Sequence, residues 1–402
     1  MENRHIAFSP PDITEEEIRE VSDTLRSGWI TTGPKTKQFE KEIASYCGTD
    51  KAVCLNSATA CLELVLRVLG IGPGDEVIIS AYTYTASCSP ICHVGAIPVL
   101  VDTAKDSFEM DYNQLENAIT SKTKAIIPVD IAGVMCDYDR IFDVVKRKSS
   151  LFCAKNEIQK SIGRVAVIAD SAHGFGAVIN GKKSGSVADF TTFSFHAVKN
   201  LTVGEGGALT WRPNPKIDND KLYNEFMLYS LHGQSKDALA KLKPGCWEYD
   251  IVMPGYKCNM PDIMASIGLV QLKRYDGLLA RRKKIISEYD RNLKKLGVLP
   301  LEHYNDRVQS TGHLYLVRLP GKTMEQRNQL IEKMAQRGIA TNVHYKPLPL
   351  LTAYKNLGFD IENYPNAFDM FISEISLPLH TLLSDDDVEY VCSTFSECLC
   401  EI

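Results

Sequence analysis

Lys199 stands just beyond the apolar run FTTFSF, inside FSFHAVKNLTVGEGGALTW at 193–211, with two glycine-rich steps following it. A lysine on a solvated helix face recurs with charged neighbours at helical spacing; this one does not. Desolvation and nearby charge can lower an amine's pKa towards neutrality and make it a nucleophile for carbonyl groups. Asp170 closes VAVIAD. A carboxylate leaving a buried strand is costly unless a cation or good donors meet it, although a cap or turn role before SAHG is a second account. Ser57, Ala58 and Thr59 follow KAVCLN and open a helical pattern. Small residues at a helix start leave backbone N–H groups and hydroxyls for an anion, and simple capping also explains a serine there. Ser194, near the end of FTTFSF, is placed to reach the same anion. Tyr84 follows the apolar run EVIISA, where an aromatic ring either covers a planar ligand or packs into the core. GEGGA at 204–208 lacks Walker spacing and leads into a strand, which makes it turn chemistry.

These residues share a position, just after short apolar runs, and the runs alternate with helical periods. KAVCLNSA reads as a strand and TACLELVLRVLG as a helix ending at glycine; EVIISA, AIPVLVD, KAIIPVDIAG, VAVIAD, FTTFSF and GALTW read as further strands. The rhythm predicts an α/β fold, a mostly parallel sheet sandwiched by helices. Ligands of such sheets bind outside the carboxyl ends of the strands, where the polar residues above fall. SSLFCAKNEIQKSIG at 149–163 interrupts the rhythm as an insertion. A long helical pattern runs from Asp262 towards Leu296, with a break expected near Gly277. HLYLVRL, MEQRNQLIEKMAQRG, ATNVHY and DDDVEYVCSTFSECL after it predict a smaller α+β domain over 276–402, following a large domain over 1–275.

The chain has 402 residues, 44% hydrophobic and 24% charged, with a net charge of -5. That balance gives no general attraction to nucleic acid or anionic membrane. No apolar run approaches the roughly 20 residues of a membrane helix, and the start lacks an apolar signal core, so a cytoplasmic protein is expected. The 12 cysteines are scattered, and neither Cys88 with Cys92 nor Cys398 with Cys400 has zinc or C-x-x-C spacing; small thiols in a reducing compartment are expected, and no metal. The basic run ARRKK at 280–284 reads as a solvated helix face.

An amine, a carboxylate, an anion-binding helix start and a stacking aromatic are what pyridoxal phosphate requires for its aldehyde, ring nitrogen, phosphate and ring face. The landmarks SGWITTGP (27–34), NSATACLELVLRVLGIGPGDEVI (56–78), AYTYTAS (81–87), GAIPVLVD, ADSAHGFGA, SFHAVKNLTVGEGGA, GYKCNMPDIMASIGLVQL, VHYKPLP and SLPLH follow in one order along nearly the whole chain. In this the chain resembles the DegT-type family of pyridoxal-phosphate-dependent nucleotide-sugar aminotransferases. The resemblance implies a fold-type-I large domain, a small C-terminal domain, and a homodimer with active sites shared between subunits. It implies that Lys199 is the Schiff-base lysine and proton shuttle, that Asp170 pairs with the pyridine nitrogen, and that His173 approaches the ring hydroxyl. Tyr84 and Ala172 would cover the two ring faces. Ala58, Thr59 and Ser194 would hold the phosphate, with Asn259 or Lys257 arriving from the partner chain.

Two departures stand out. Ser57-Ala58-Thr59-Ala60 replaces the family's S-G-T-A, and Gly255-Tyr256-Lys257-Cys258-Asn259-Met260 replaces G-Y-N-Y-R-M, with the lysine found in one branch. Deoxygenating relatives carry histidine in place of the lysine; here His196 and Lys199 are both present, which disfavours that branch. The implied activity is transfer of an amino group from L-glutamate to a keto sugar on a nucleotide diphosphate, with C4 favoured over C3, for amino sugars of surface polysaccharide or lipopolysaccharide. His196, His344 and Tyr345, with His380, are candidates for shaping the substrate pocket. A fold-type-I enzyme acting on small amino acids would instead want an arginine clamp, for which Arg318 and Arg337 are the available residues. A protein that keeps the fold without turnover would have no need of the intact Lys199, Asp170 and His173.

Overall fold

The computed structural model describes residues 4–235 and 248–402. Its strands are β1 (Ala52–Leu55), β2 (Glu76–Ser80), β3 (Ile97–Val101), β4 (Thr123–Ile127), β5 (Ala166–Asp170), the small hairpin β6 (Val178–Ile179) and β7 (Lys182–Lys183), β8 (Phe190–Ser194), β9 (Gly207–Trp211), β10 (Leu299–Pro300), β11 (Val308–Gln309), β12 (Tyr315–Arg318) and β13 (Glu374–Leu377). The main sheet has the order β1-β9-β8-β5-β4-β2-β3. β8, β5, β4, β2 and β3 pair in parallel, and β9 runs antiparallel to both β8 and β1.

Both faces of this sheet are covered, and the strand residues show it. Val77 and Ile79 of β2 pack into one buried cluster with Ile127 and Ile168, while Ile78 packs into another with Ile126 and Val167. Side chains alternate across a strand, so a strand buried on both sides must be apolar at every position. That is why EVIIS, TKAII and AVIAD read as unbroken runs. The helix Ala58–Val68 covers the first face and Tyr138–Arg147 the second.

The insertion at 149–163 forms a short turn and the helix Glu157–Ile162, capped by Asn156. It lends side chains to its neighbour: Asn156 Nδ2 donates to Val68 O at 2.9 Å and Gln159 Nε2 to Leu69 O at 2.6 Å. Terminal helix carbonyls lack intrahelical donors, so the insertion finishes the helix that begins at Ala58.

The helix Asp262–Leu293 is continuous, and the break expected at Gly277 does not occur. No neighbouring atom lies within 4 Å of a Cβ placed at Gly277, so this glycine is simply an exposed helical residue. The expected boundary after residue 275 falls inside this helix. Its first half packs on the main sheet through Ala265, Leu269, Tyr275 and Leu278; its second half packs through Ile285, Ile286, Tyr289 and Leu293 into the C-terminal core. That core is built on the antiparallel sheet β10-β12-β13 and the helices Met324–Gln336 and Asp385–Cys400. The two parts are tied by Asp102, just after β3, whose carboxylate accepts the backbone N–H groups of Asn366 (2.9 Å) and Ala367 (2.8 Å) in the first turn of the helix Pro365–Ser373.

β9 is tied to the start of the helix at Ala58 by a close backbone approach. A Cβ at Gly207 would lie 2.4 Å from Ala58 N and 2.5 Å from Ser57 C. We expect Gly207→Ala to destabilise the fold by about 1–3 kcal/mol, the usual range for overpacking a tight contact. Denaturant unfolding measures this, and an unchanged midpoint would show that the two backbones are free to separate.

Candidate active site

The carboxyl ends of β1, β2, β4, β5 and β8, with the amino end of β9, enclose a cavity of about 380 Å³. Ala58, Thr59, Tyr84, Asp170, Ala172, His173, Ser194, His196, Lys199 and Tyr345 all line it. Residues spread from 58 to 345 are therefore brought to one place by the sheet edge.

Each wall has a local cause. Ser57 adopts extended backbone and caps the helix Ala58–Val68 by accepting from Ala60 N at 3.1 Å. This leaves the first N–H groups of that helix, and the Thr59 hydroxyl, at the cavity. Tyr84 is the N-cap position of the helix Thr85–His93. It is 58% exposed and tilts towards Tyr345 at 5.8 Å between rings, so one face is free for a planar ligand. Asp170 is buried at the end of β5; its Oδ2 accepts from the Ser87 hydroxyl at 2.6 Å and its Oδ1 from Ala172 N at 3.2 Å. Burial raises its carboxyl above the usual range, against these two bonds and the Lys199 charge.

Lys199 lies in the loop joining β8 to β9, half-buried at the cavity wall, its N–H bonded to His196 O at 2.8 Å. Burial pulls its amine down to about 8, and the Asp170 carboxylate opposes that shift. His173 is buried, accepts Ala132 N at Nδ1 (3.2 Å) and meets the Tyr345 hydroxyl with Nε2 (3.1 Å). An Nδ1 that accepts leaves the ring proton on Nε2. Burial, then the Lys199 charge, hold His173 well below its ordinary pKa, so it is neutral.

Two contributors escaped the sequence reading. Ser87 was visible three residues after Tyr84, one helical turn on. Asp130 closes the apolar run of β4 as Asp170 closes β5, and lines the cavity. It accepts from Ser171 Oγ (2.6 Å), Tyr138 OH (2.9 Å) and Cys136 N (3.0 Å), while burial pushes its carboxyl up to about 7.

Other expected residues sit elsewhere. His344 does not line the cavity: its Nδ1 pairs with Ser376 Oγ at 2.8 Å, its N–H with Glu374 Oε2 at 2.8 Å, and its ring stacks on Phe8. This histidine was a candidate for shaping the substrate pocket, and its bonds instead fasten its own loop to β13. His380 bonds Ala7 O at 3.1 Å. Asn259 and Lys257 bond each other outside the cavity of their own chain, and Asn259 also reaches Thr32 Oγ1. Arg318 is held by Asp106 (2.7 Å) and Arg337 by Glu397 and Glu401 (2.6 Å each), so neither reaches the cavity.

The profile of the DegT/DnrJ/EryC1/StrS aminotransferase family matches residues 11–396. The chain belongs to this family. It is a pyridoxal-phosphate-dependent enzyme of the sugar-aminotransferase kind, with the α/β fold expected from its sequence. It is 38% identical over 393 residues (97% of this chain, 96% of the relative) to the spore coat polysaccharide biosynthesis protein SpsC of Bacillus subtilis. It is 34% identical over 411 residues (99% of each) to the UDP-4-amino-4-deoxy-L-arabinose–oxoglutarate aminotransferase of Shewanella sediminis. The PMP form of the candidate sugar aminotransferase Spr1654 of Streptococcus pneumoniae superposes with a TM-score of 0.97 at 60% identity, covering 99% of this chain and all of that one. The donor set fits the cofactor: an amine lowered towards neutrality, a buried carboxylate, a helix start and an uncovered aromatic ring face one volume.

In the cofactor-free protein, Lys199 should titrate near 8, which the pH dependence of its labelling by an amine-reactive reagent measures. The Asp170 charge favours the ammonium form, so Asp170→Asn should move that midpoint lower. A midpoint that stays or rises would show that the two groups do not interact.

Proposed function

We propose that this aminotransferase moves an amino group from L-glutamate to a keto sugar carried on a nucleotide diphosphate, within cytoplasmic synthesis of an amino sugar for surface polysaccharide. The observation that carries the reading is the single cavity holding Lys199, Asp170, His173, Tyr84 and the helix start at Ala58. The relatives' names support its parts. One is named for spore coat polysaccharide; another names oxoglutarate, the keto form of glutamate, and a 4-amino sugar, which favours C4 over C3. Among the described residues, no helix is long and apolar enough to cross a membrane.

Pyridoxal phosphate, when bound, supplies an aldehyde that takes up the amino group and a ring that accepts the electron pair. Lys199 would hold it covalently and, once its amine is released, would take the proton from the donor's α-carbon and later return one to the sugar carbon. An amine near 8 suits both directions, since it is neither fully charged nor too weak a base at neutral pH. Asp170 would keep a proton on the ring nitrogen, its own charge steadied by Ser87 and the Ala172 N–H. His173, a neutral donor at Nε2, would face the ring hydroxyl. Tyr84 and Ala172 would cover the ring faces, and the N–H groups and hydroxyls at Ala58, Thr59 and Ser194 would hold the phosphate. His196, at the rim and 3.5 Å from Glu205, would meet the sugar.

We further propose a homodimer with shared sites, each subunit having a large cofactor-binding domain and a smaller C-terminal one. The exposed apolar side chains Tyr84 and Val198 at the cavity, with Ile30 and Val252, support a covering partner. Asn259 and Lys257, outside their own chain's cavity, would reach the partner's.

An absorbance spectrum with pyridoxal phosphate tests the reading. A yellow band should form, bleach with L-glutamate, return with an acceptor keto-sugar nucleotide, and be missing from Lys199→Ala. A band indifferent to glutamate would reject the donor, and a normal band in Lys199→Ala would reject the lysine.

A further inference from the structure

Lys199 and His173 come from different loops, and Asn200 beside the lysine joins two residues supplied from far along the chain, Thr311 and His313, to hold them to each other. Asn200, directly after Lys199, is buried. Its Nδ2 donates to Thr311 O at 2.9 Å, and its Oδ1 lies 3.0 Å from His313 Nδ1. With the amide N–H group spent on Thr311, Oδ1 is the acceptor and His313 Nδ1 carries the proton. Thr311 Oγ1 donates to His173 O at 2.6 Å. The His313 ring packs on the His173 ring at 4.2 Å between centroids, and His313 N donates to Ala132 O at 3.0 Å. Ala132 N in turn supplies the bond to His173 Nδ1. Backbone and side chains therefore close a loop from Lys199 through Asn200, Thr311 and His313 to His173.

The fit is made by the backbone too. Gly133 has φ of +86°, and a Cβ there would lie 1.9 Å from Thr311 Oγ1 and 2.9 Å from His173 O. The absence of a side chain at Gly133 is what lets Thr311 reach His173. Burial keeps both imidazoles neutral, so the rings pack without charge repulsion.

We propose that Asn200, Thr311 and His313 are positioning residues for transamination, fixing the Lys199 amine and the His173 imidazole relative to each other so that both address one bound group. The inference rests on the assignment of Lys199 and His173 made above. None of the three touches the reacting atoms; they act through the two residues they hold. A group held within a fraction of an ångström loses little rate to misplacement, whereas a shift of about 1 Å costs on the order of 100-fold.

The test uses the full chain with two substitutions each at Thr311 and His313, and His173→Gln for assignment. Thr311→Val keeps shape and loses the hydroxyl, and Thr311→Ser restores it. His313→Phe keeps a ring and loses the donor, and His313→Asn keeps an N–H near the Nδ1 position. In cofactor-free protein carrying carbon-13 and nitrogen-15 histidine, the His173 signal, identified with His173→Gln, should show one tautomer and no titration in the range of an ordinary histidine. Thr311→Val and His313→Phe should mix the tautomers or bring titration into that range. With cofactor, they should lower kcat by about 10- to 100-fold while changing KM for glutamate far less. They should also shift the pH at which the yellow band changes. Thr311→Ser should recover most of each loss, and His313→Asn should recover the band midpoint.

Wild-type tautomer, titration and band midpoint in Thr311→Val and His313→Phe would overturn the proposal, even if their melting temperatures fell. Should His313→Phe fail to fold, the Thr311→Val and Thr311→Ser pair decides. A yellow band in Lys199→Ala would instead remove the assignment of the lysine, a result visible before any of these variants is made.

Discussion

A carboxylate and an amine kept together at the buried end of a sheet are the constraint on which the rest of this structure depends. Asp170 ends a strand whose every residue is buried, where an uncompensated charge would cost several kcal/mol. It is tolerated because three partners converge: the Ser87 hydroxyl from the first turn of the helix Thr85–His93, the Ala172 N–H from its own turn, and the Lys199 charge from the loop joining β8 to β9. Each partner comes from a different strand end, so the register of β2, β5 and β8 has to be correct at once for the charge to be met. The same desolvation that threatens Asp170 lowers Lys199 towards neutrality. The cost of burial is thus converted into reactivity, and the sheet edge is where both happen.

The hairpin of β8 and β9 sets where the amine goes. β9 runs against the direction of its neighbours, so the chain turns back at the cavity and leaves Phe195 to Gly206 as a loop across its wall. Gly207 then lets that strand close on the start of the helix at Ala58. The amine and the helix start at Ala58 are consequently neighbours through main chain, which does not drift as a flexible side chain would.

The C-terminal half is built into the site as well as attached beside it. Tyr345 reaches His173 Nε2, Thr311 and His313 reach its carbonyl and ring, and Asp102 caps a helix of the other half. Each such hydrogen bond contributes only about 0.5–1.5 kcal/mol. Their value lies in direction, because they hold His173 where the Ala132 N–H meets Nδ1 and leaves the ring a single neutral tautomer. The continuous helix Asp262–Leu293, shared by both cores, carries this rigidity between the halves.

The sequence by itself determined the elements and the chemistry of the strand ends. Unbroken apolar runs require a sheet covered on both faces, and each polar residue following one is a statement that something waits there. Asp170, Lys199, Ser57 and Tyr84 were legible for that reason, because burial and charge conflict locally. Asp130 carries the same signal and went unread. Other facts are long-range and leave no local trace. That β9 runs antiparallel, that the helix continues through Gly277, that His344 fastens a loop while Tyr345 beside it faces the cavity, and that Asn200 finds Thr311 and His313 were decided only by tertiary structure. A histidine's role depends on which atoms meet its ring nitrogens, and those atoms come from distant segments: Ala132 and Tyr345 for His173, and Asn200 for His313.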